Sequence, residues 1–303
     1  MPYVVYSTNG GTGIWLKEWK GGIVYYEEEY PNILFAKDGE IYDLDGERAM
    51  IIGGAYSVDK DYRLMVGEPW FPDEQPSVKI KTYVHTYRCK HASDERDWEY
   101  IEKAIELGTS KISFTDHAPF PGNPFGNRMD IEQLPEYLDT LQSLKEKYQD
   151  KIIVKIGLEV EYLASFQEYY QELKDNEVLD ILMIGQHFFE TEQGEYSFHS
   201  NNKKDEYIGL AKASIEGMKT GLFTVLAHPD RIFRRKEKWD PALEEISRQM
   251  IDTAIANGVM LESNLTSIRR KNQYWSEFWD MVPEGTKIIT GVDAHSVSEL
   301  VTS

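Results

Sequence analysis

Lys111-Ile112-Ser113-Phe114-Thr115-Asp116-His117 decides the fold, because it is a short β-rich run that ends by presenting a histidine. Amphipathic helices are predicted on both sides of it, over Asp94 to Leu107 and Ile131 to Tyr148, from apolar residues recurring at helical spacing. The alternation continues. Further helical stretches run from Ser165 to Asn176, Asp205 to Thr220 and Pro241 to Asn257. Between them lie the apolar segments Ile152 to Leu158, Leu179 to Ile184, Leu222 to Ala227, Val259 to Leu261 and Lys287 to Thr290. Strands alternating with helices pair in parallel through right-handed crossovers. About seven β/α units are expected, a number that favours a closed or nearly closed barrel over an open sheet.

Upstream the rhythm differs. From Met1 to about Ser77 short apolar runs such as Gly22-Ile23-Val24-Tyr25-Tyr26 and Ile33-Leu34-Phe35-Ala36 are broken by turn residues, including Asp38-Gly39. This pattern reads as a β-meander or hairpins. The turn-rich stretch Gly67 to Ser77 ends the region, so the chain is expected to divide into a small β-rich segment, 1–77, and a barrel, 78–303.

Bulk composition bounds the function. With 33 basic and 52 acidic residues the net charge is −19, which argues against duplex nucleic acid and anionic membranes as partners. A small phosphorylated substrate fits if bound cations make the site itself positive. The single cysteine, Cys89, permits no intrachain disulfide, and no apolar run approaches the length of a membrane span. A cytoplasmic protein, neither secreted nor inserted in a membrane, is the expectation.

Six of the seven histidines fall at or just beyond predicted strand ends. His85 and His91 follow the first strand of the second region, and His117, His187, His228 and His295 each close or follow a later one. In a parallel barrel those ends converge on one face. A lone histidine there is ordinarily a hydrogen-bonded structural residue. Six of them, joined by the strand-end carboxylates Glu159 and Asp293, read better as one shared metal site. Imidazole with carboxylate, and no clustered thiols, suits Zn, Mn or Fe. His199 lies in a polar loop and stands outside the set.

Taken in order, Val84-His85-Thr86-Tyr87-Arg88-Cys89-Lys90-His91-Ala92, Thr115-Asp116-His117-Ala118-Pro119, Gly157-Leu158-Glu159-Val160-Glu161-Tyr162, His228-Pro229-Asp230 and Asp293-Ala294-His295 resemble the PHP family of phosphoesterases, especially its histidinol-phosphatase branch. The likeness covers roughly residues 79–303. It implies an α/β fold, a distorted (β/α)7 TIM-like barrel, with two or three divalent metal ions. By position His85, Glu159 and Asp293 would serve one ion, His91, His117 and His295 a second, and Glu159, His187 and His228 a third, with Glu159 bridging. Glu159, Asp293 and His295 are the catalytic residues so implied, and a hydroxide held between metals is the implied nucleophile. Histidinol phosphate is the implied substrate. Another phosphomonoester, phosphotyrosine among them, and a catalytically silent metal-binding protein are the competing readings.

Two positions depart from the family pattern. Tyr83 stands where the first histidine of the His-x-His motif belongs, so the first metal site is expected to be weak, empty or altered. Glu161 replaces the usual aspartate and should shift a hydrogen bond behind the ligands. For the phosphate, Arg128 in the loop after His117 is the first candidate and Arg234, six residues beyond His228, the second. Cys89 reads as a packed small hydrophobe rather than a nucleophile.

The ends of the chain carry two further expectations. Ile51 to Arg63 and Trp70 to Ser77 look like an interior piece of a calcineurin-like metallophosphoesterase, yet residues 1–80 contain no histidine and cannot build that family's centre. Only eight residues follow His295, so a final covering helix should be short or missing. The seam this would leave is one that the N-terminal module, or a second copy of the chain in a homo-oligomer, would close.

Overall fold

The computed structural model describes residues 3–6, 15–19, 22–26, 33–36, 41–44, 47–50 and 80–300, apart from 192, 201, 202 and 271. The chain forms two compact units, Met1–Ile80 with Ser303, and Lys81–Thr302. In the first, β1 (Tyr3–Tyr6), β2 (Trp15–Trp19), β3 (Gly22–Tyr26) and β4 (Ile33–Ala36) make a sheet of order β1-β4-β3-β2. The run from β2 to β4 is an antiparallel meander, whereas β1 pairs parallel to β4. A separate antiparallel pair joins β5 (Ile41–Leu44) to β6 (Glu47–Met50), with Asp45-Gly46 between its innermost partners Leu44 and Glu47. The calcineurin-like stretch within 51–77 lies outside the described residues.

The second unit is a closed barrel of seven strands: β7 (Ile80–Val84), β8 (Lys111–Phe114), β9 (Ile153–Val160), β10 (Ile181–Ile184), β11 (Val225–Leu226), β12 (Met260–Asn264) and β13 (Ile288–Gly291). Strand pairing is parallel throughout, and the last seam closes where His85 N donates to Ala294 O at 2.8 Å and Ala294 N to Tyr83 O at 3.0 Å. Five helices cover the crossovers: α1 (Asp97–Glu106), α2 (Leu134–Tyr148), α3 (Gln167–Asp175), α4 (Glu206–Lys219) and α5 (Pro241–Asn257). The termini of α5 show why periodicity located it well. Asp240 caps it by accepting from the backbone N–H groups of Ala242 and Leu243, Pro241 opens it, and Gly258 ends it in the left-handed conformation at φ 68°. Its buried face carries Leu243, Ile246, Met250, Ile251 and Ala254.

Two elements escape the sequence pattern. Helices α6 (Leu265–Arg269) and α7 (Ser276–Asp280) are five residues each, too short to show an amphipathic period. After β13 the described residues form a 3-10 turn, Val297–Glu299, and bury Leu300. Among the described residues no helix is long and apolar enough to cross a membrane.

The barrel lumen is filled in levels. Tyr83, Met183, Val225, Ala227 and Ile289 come from β7, β10, β13 and the β11 segment yet form one buried cluster, with Ile181 and Met260 against it. Residues on opposite walls of a closed barrel can meet only inside it. Side chains alternate along a strand, so residues two apart share a face. His85, the residue that follows β7, is thereby placed on the same inner face as Tyr83, one level above it.

Candidate metal centre

The polar level above that cluster collects the strand-end residues. Glu159, near the end of β9, forms a parallel bridge with His117, and their backbones interlock as Glu159 N donates to Asp116 O at 3.0 Å and Ala118 N to Glu159 O at 2.8 Å. The Glu159 carboxylate then lies against Gly185, where an added Cβ would fall 1.7 Å from Oε1. Only glycine leaves room there. One Glu159 oxygen faces His85 Nε2 at 3.3 Å, and the other faces His228 Nε2 at 3.2 Å and His187 Nε2 at 3.8 Å. Asp293 Oδ1 completes the near side, 3.1 Å from His85 Nε2. Two of these residues hold unusual backbone, His228 at φ 31° and Asp293 at φ 54°. Such strain costs on the order of 1 kcal/mol or more and persists where the surroundings impose it.

Among the described residues, four sets of three have ligand atoms within 4.8 Å of one another. His85 with Glu159 and Asp293, and Glu159 with His187 and His228, are two of the groupings read from the sequence. A third unites His117 and His295 with His85. His91 stands beside it, with its Nε2 3.0 Å from His295 Nε2. The fourth set, His117 with Glu161 and His187, brings in a carboxylate that the sequence reading had placed behind the ligands.

The protons of these rings are placed as a cation site requires. His91 Nδ1 lies 2.8 Å from Cys89 O and His295 Nδ1 lies 3.0 Å from Asp293 O. A carbonyl can only accept, so Nδ1 of each ring donates to the rear and Nε2 is the atom turned toward the other ring. Two nitrogens 3.0 Å apart need a proton or a metal ion between them. His117 Nδ1 is buried with no hydrogen-bond partner, as a nitrogen awaiting a ligand would be. Burial and the neighbouring Arg231 push His228 down to about 4, and burial with His85 does the same for His295. Burial also carries His117 well below the ordinary imidazole value. Neutral imidazoles are what a metal requires. Burial would raise both carboxylates, yet His228 and His85 hold Glu159 well below its usual range, and Arg231 and His85 do so for Asp293. For His85 the hydrogen bonds to Asp293, Cys89 and Glu159 outweigh burial and raise it well above 6.5, so a metal must displace a proton there. The donor set suits divalent ions.

Tyr83 takes a different place from the one its alignment suggests. Its ring packs into the apolar cluster below, and burial, with Glu262 nearby, raises the phenol above its usual value of 10.0. The set of His85, Glu159 and Asp293 assembles without it. Glu262 is a site carboxylate that the sequence reading overlooked. It is buried on β12, accepts from His228 N at 3.0 Å and Asn264 Nδ2 at 3.3 Å, and is pushed up to about 8 by burial and by Asp293 and Glu159. Gly291 makes room for its Oε1.

The cluster forms the floor of a cavity of about 700 Å³ whose walls include Phe125, Phe188 and Phe198 and three arginines, Arg128, Arg231 and Arg270. Arg128 is largely engaged: Nη1 and Nη2 pair with Glu161 at 2.7 and 3.1 Å, Nη1 also donates to Ala118 O and Nε to Gly126 O. One of its five N–H groups is left. Arg234 is not among the residues lining the cavity. It points to Glu206 at the start of α4, 3.6 Å away, and to His187 O, because that buried carboxylate draws both Arg234 and Arg235. Arg231 occupies the wall instead, held by Asp293 Oδ2 at 2.8 Å, Asn264 Oδ1 at 3.0 Å and Ser267 Oγ at 3.0 Å. His199 stays exposed, its ring against Phe198.

A seven-stranded parallel barrel with histidines and carboxylates pooled at its strand ends defines a metal-binding phosphoesterase class of fold and site. The PHP domain profile matches residues 82–266, and the chain belongs to that family. Among its relatives, the histidinol-phosphatase of Bacillus subtilis (strain 168) is 23% identical over 251 residues, covering 72% of this chain and 94% of that protein. The histidinol phosphate phosphatase of Lactococcus lactis, solved with zinc, L-histidinol and phosphate, superposes with a TM-score of 0.58 at 20% identity over 73% of this chain and 88% of that one. The hisK protein of Listeria monocytogenes gives 0.62 at 19% identity over 73% and 97%.

Proposed function

We propose that the protein is a metal-dependent phosphomonoesterase that cleaves histidinol phosphate to histidinol and phosphate. One observation carries this reading: an arginine-lined, aromatic-walled cavity opens directly on a buried histidine–carboxylate cluster in which burial holds His117, His228 and His295 neutral. The names of the relatives supply the substrate. His85, Glu159 and Asp293 would hold one ion, His117 and His295 with His91 a second, and His187 and His228 with Glu159 a third. Zn, Mn and Fe match the donors, in two or three positions. When bound, such ions supply Lewis acidity and activate water near neutral pH.

The chain's own residues do the rest. Arg231 and Arg270 face the cavity with the charge to bind a phosphoryl group, and Arg128 adds one N–H and fixes Glu161. Phe125, Phe188 and Phe198 form a wall against which a flat leaving group can lie. Carbonyls behind His91 and His295 hold both rings in the orientation that a ligand needs. The same aromatic wall would accept a phenyl ring, which keeps phosphotyrosine as the second reading. The lone cysteine is the ground for assigning the protein to the cytoplasm.

Phosphate release from histidinol phosphate, measured beside a panel of phosphomonoesters at equal concentration with metal-replete protein, tests the assignment. Histidinol phosphate should be preferred, and the protein should carry at least two ions per chain. Preference for another ester removes the substrate but keeps the class; a metal content near zero removes both.

A further inference from the structure

Cys89 reads from the sequence as a small packed hydrophobe, yet its sulfur touches three polar partners. Sγ lies 3.1 Å from Asp116 Oδ1, receives the backbone N–H of His117 at 3.1 Å, and lies 3.5 Å from His85 Nδ1. All of these groups are buried: Cys89 and Asp116 at 0%, His85 at 1%. We propose that the Cys89 thiol, backed by Asp116, is a positioning residue for His85: it accepts the Nδ1 proton and so turns Nε2 toward Glu159 and Asp293. The inference rests on the reading of that cluster as a metal centre.

Donor accounting sets the direction. A carboxylate has no proton to give, and Asp116 Oδ1 already accepts from Thr86 N and Thr86 Oγ1, both at 2.8 Å. The single thiol proton therefore points to Asp116, which leaves the sulfur only lone pairs for its other neighbours. His117 N–H takes one. His85 Nδ1 must then be the donor for the other, and Nε2, the nitrogen facing Asp293 at 3.1 Å and Glu159 at 3.3 Å, is the one on which an ion can replace a proton. The same thiol anchors the backbone of His117, so one sulfur orients a side chain and a main-chain segment from two neighbouring strands.

The anchor is itself rigid. Thr86 receives Arg88 Nη1 at 3.3 Å, and Arg88 is locked to Asp97 at 2.8 Å and Glu136 at 2.9 Å. Histidine ligands are commonly oriented by a carboxylate or carbonyl in direct contact. Here a thiol is interposed between the imidazole and its carboxylate. Nothing in this role calls for thiolate chemistry.

The test compares Cys89→Ser, Cys89→Val and Cys89→Ala with wild type as full-length, chelator-stripped protein, titrated with Zn²⁺ against a chromophoric chelator. Serine can both accept and donate, whereas valine fills space without hydrogen bonding. Expected is a tenfold to hundredfold loss of affinity for at least one ion in Val and Ala, in the range typical of partners behind metal ligands, with Ser in between. Valine binding as tightly as serine would show that the thiol only packs. Affinities that merely track the thermal stability of the metal-free variants would show the same. If Ala fails to fold, the Ser and Val pair still decides. Wild type that takes up no Zn²⁺ removes the metal centre together with this role, whereas normal uptake by wild type and all three variants removes only the role of Cys89.

Discussion

Tyr83 on β7 and His85 just past its end lie two residues apart, share a barrel interior, and are both almost fully buried, yet they live in opposite environments. Tyr83 packs among Met183, Val225, Ala227 and Ile289, while His85 meets two carboxylates, a thiol and two further imidazoles. The lower level is held by apolar packing and the upper by charge and hydrogen bonds. A single strand step therefore separates a position where a phenol is tolerated from one where only a ligand serves.

The most severe way to break the upper level is Glu159→Gln, because this carboxylate belongs to two of the candidate ion sets. Phosphatase activity should fall by more than about a hundredfold, the upper range for partners that do not even touch the metal, and elemental analysis should show at least one ion lost. An enzyme with full activity and metal content would sever Glu159 from the chemistry.

The lower level is probed by Tyr83→His. An imidazole in the apolar cluster leaves unfilled volume and polar atoms without partners, so denaturant unfolding of the metal-free protein should show a loss of about 2–3 kcal/mol. The same change should leave the affinity for the ion at His85, Glu159 and Asp293 nearly unchanged; a marked tightening on metal titration would mean that a side chain at this position reaches the site.

Glu262 sits at the boundary between the levels. Its carboxyl is raised to about 8 in the folded protein against an ordinary value of 4.5. A group raised on folding contributes stability that is fully present below its unfolded pKa and lost as pH climbs through the folded one, here between roughly 4.5 and 8. Glu262→Gln should therefore leave the metal-free protein nearly unchanged at pH 4.5 and stabilise it at pH 8.5 by on the order of 2 kcal/mol. Parallel pH profiles of melting temperature for the two proteins would contradict this. The smallest effect belongs to the rim: Phe198, 44% exposed on the cavity wall, contributes area without charge. Phe198→Ala should raise KM for histidinol phosphate about threefold with kcat nearly constant, the mark of uniform binding.

Much of this organisation was legible beforehand. The strand-end histidines, Glu159 and Asp293 were readable because a parallel barrel brings its carboxyl ends to one face whatever its loops do. From the sequence Arg234 is as natural a candidate as Arg231, since both stand in one run after His228. Spacing along that run says nothing about Glu206, which comes from another helix and draws Arg234 away. Arg128 was found, but its pairing with Glu161 across 33 positions was not, and that pairing takes up most of its donors. Glu262 and the polar role of Cys89 left no signal in a one-dimensional pattern, since a buried carboxylate on a strand and a small residue in a turn both look like ordinary core.

By itself the sequence determined the alternation of strands and helices, the barrel that follows from it, and the face on which the histidines gather, because these depend on periodicities carried within each segment. Only the tertiary structure decided how deep each residue lies in the lumen and which side chains neutralise one another. Those depend on contacts among strands far apart in the chain, and they make Tyr83 a core residue, raise the Glu262 carboxyl and put Arg231 rather than Arg234 on the cavity wall.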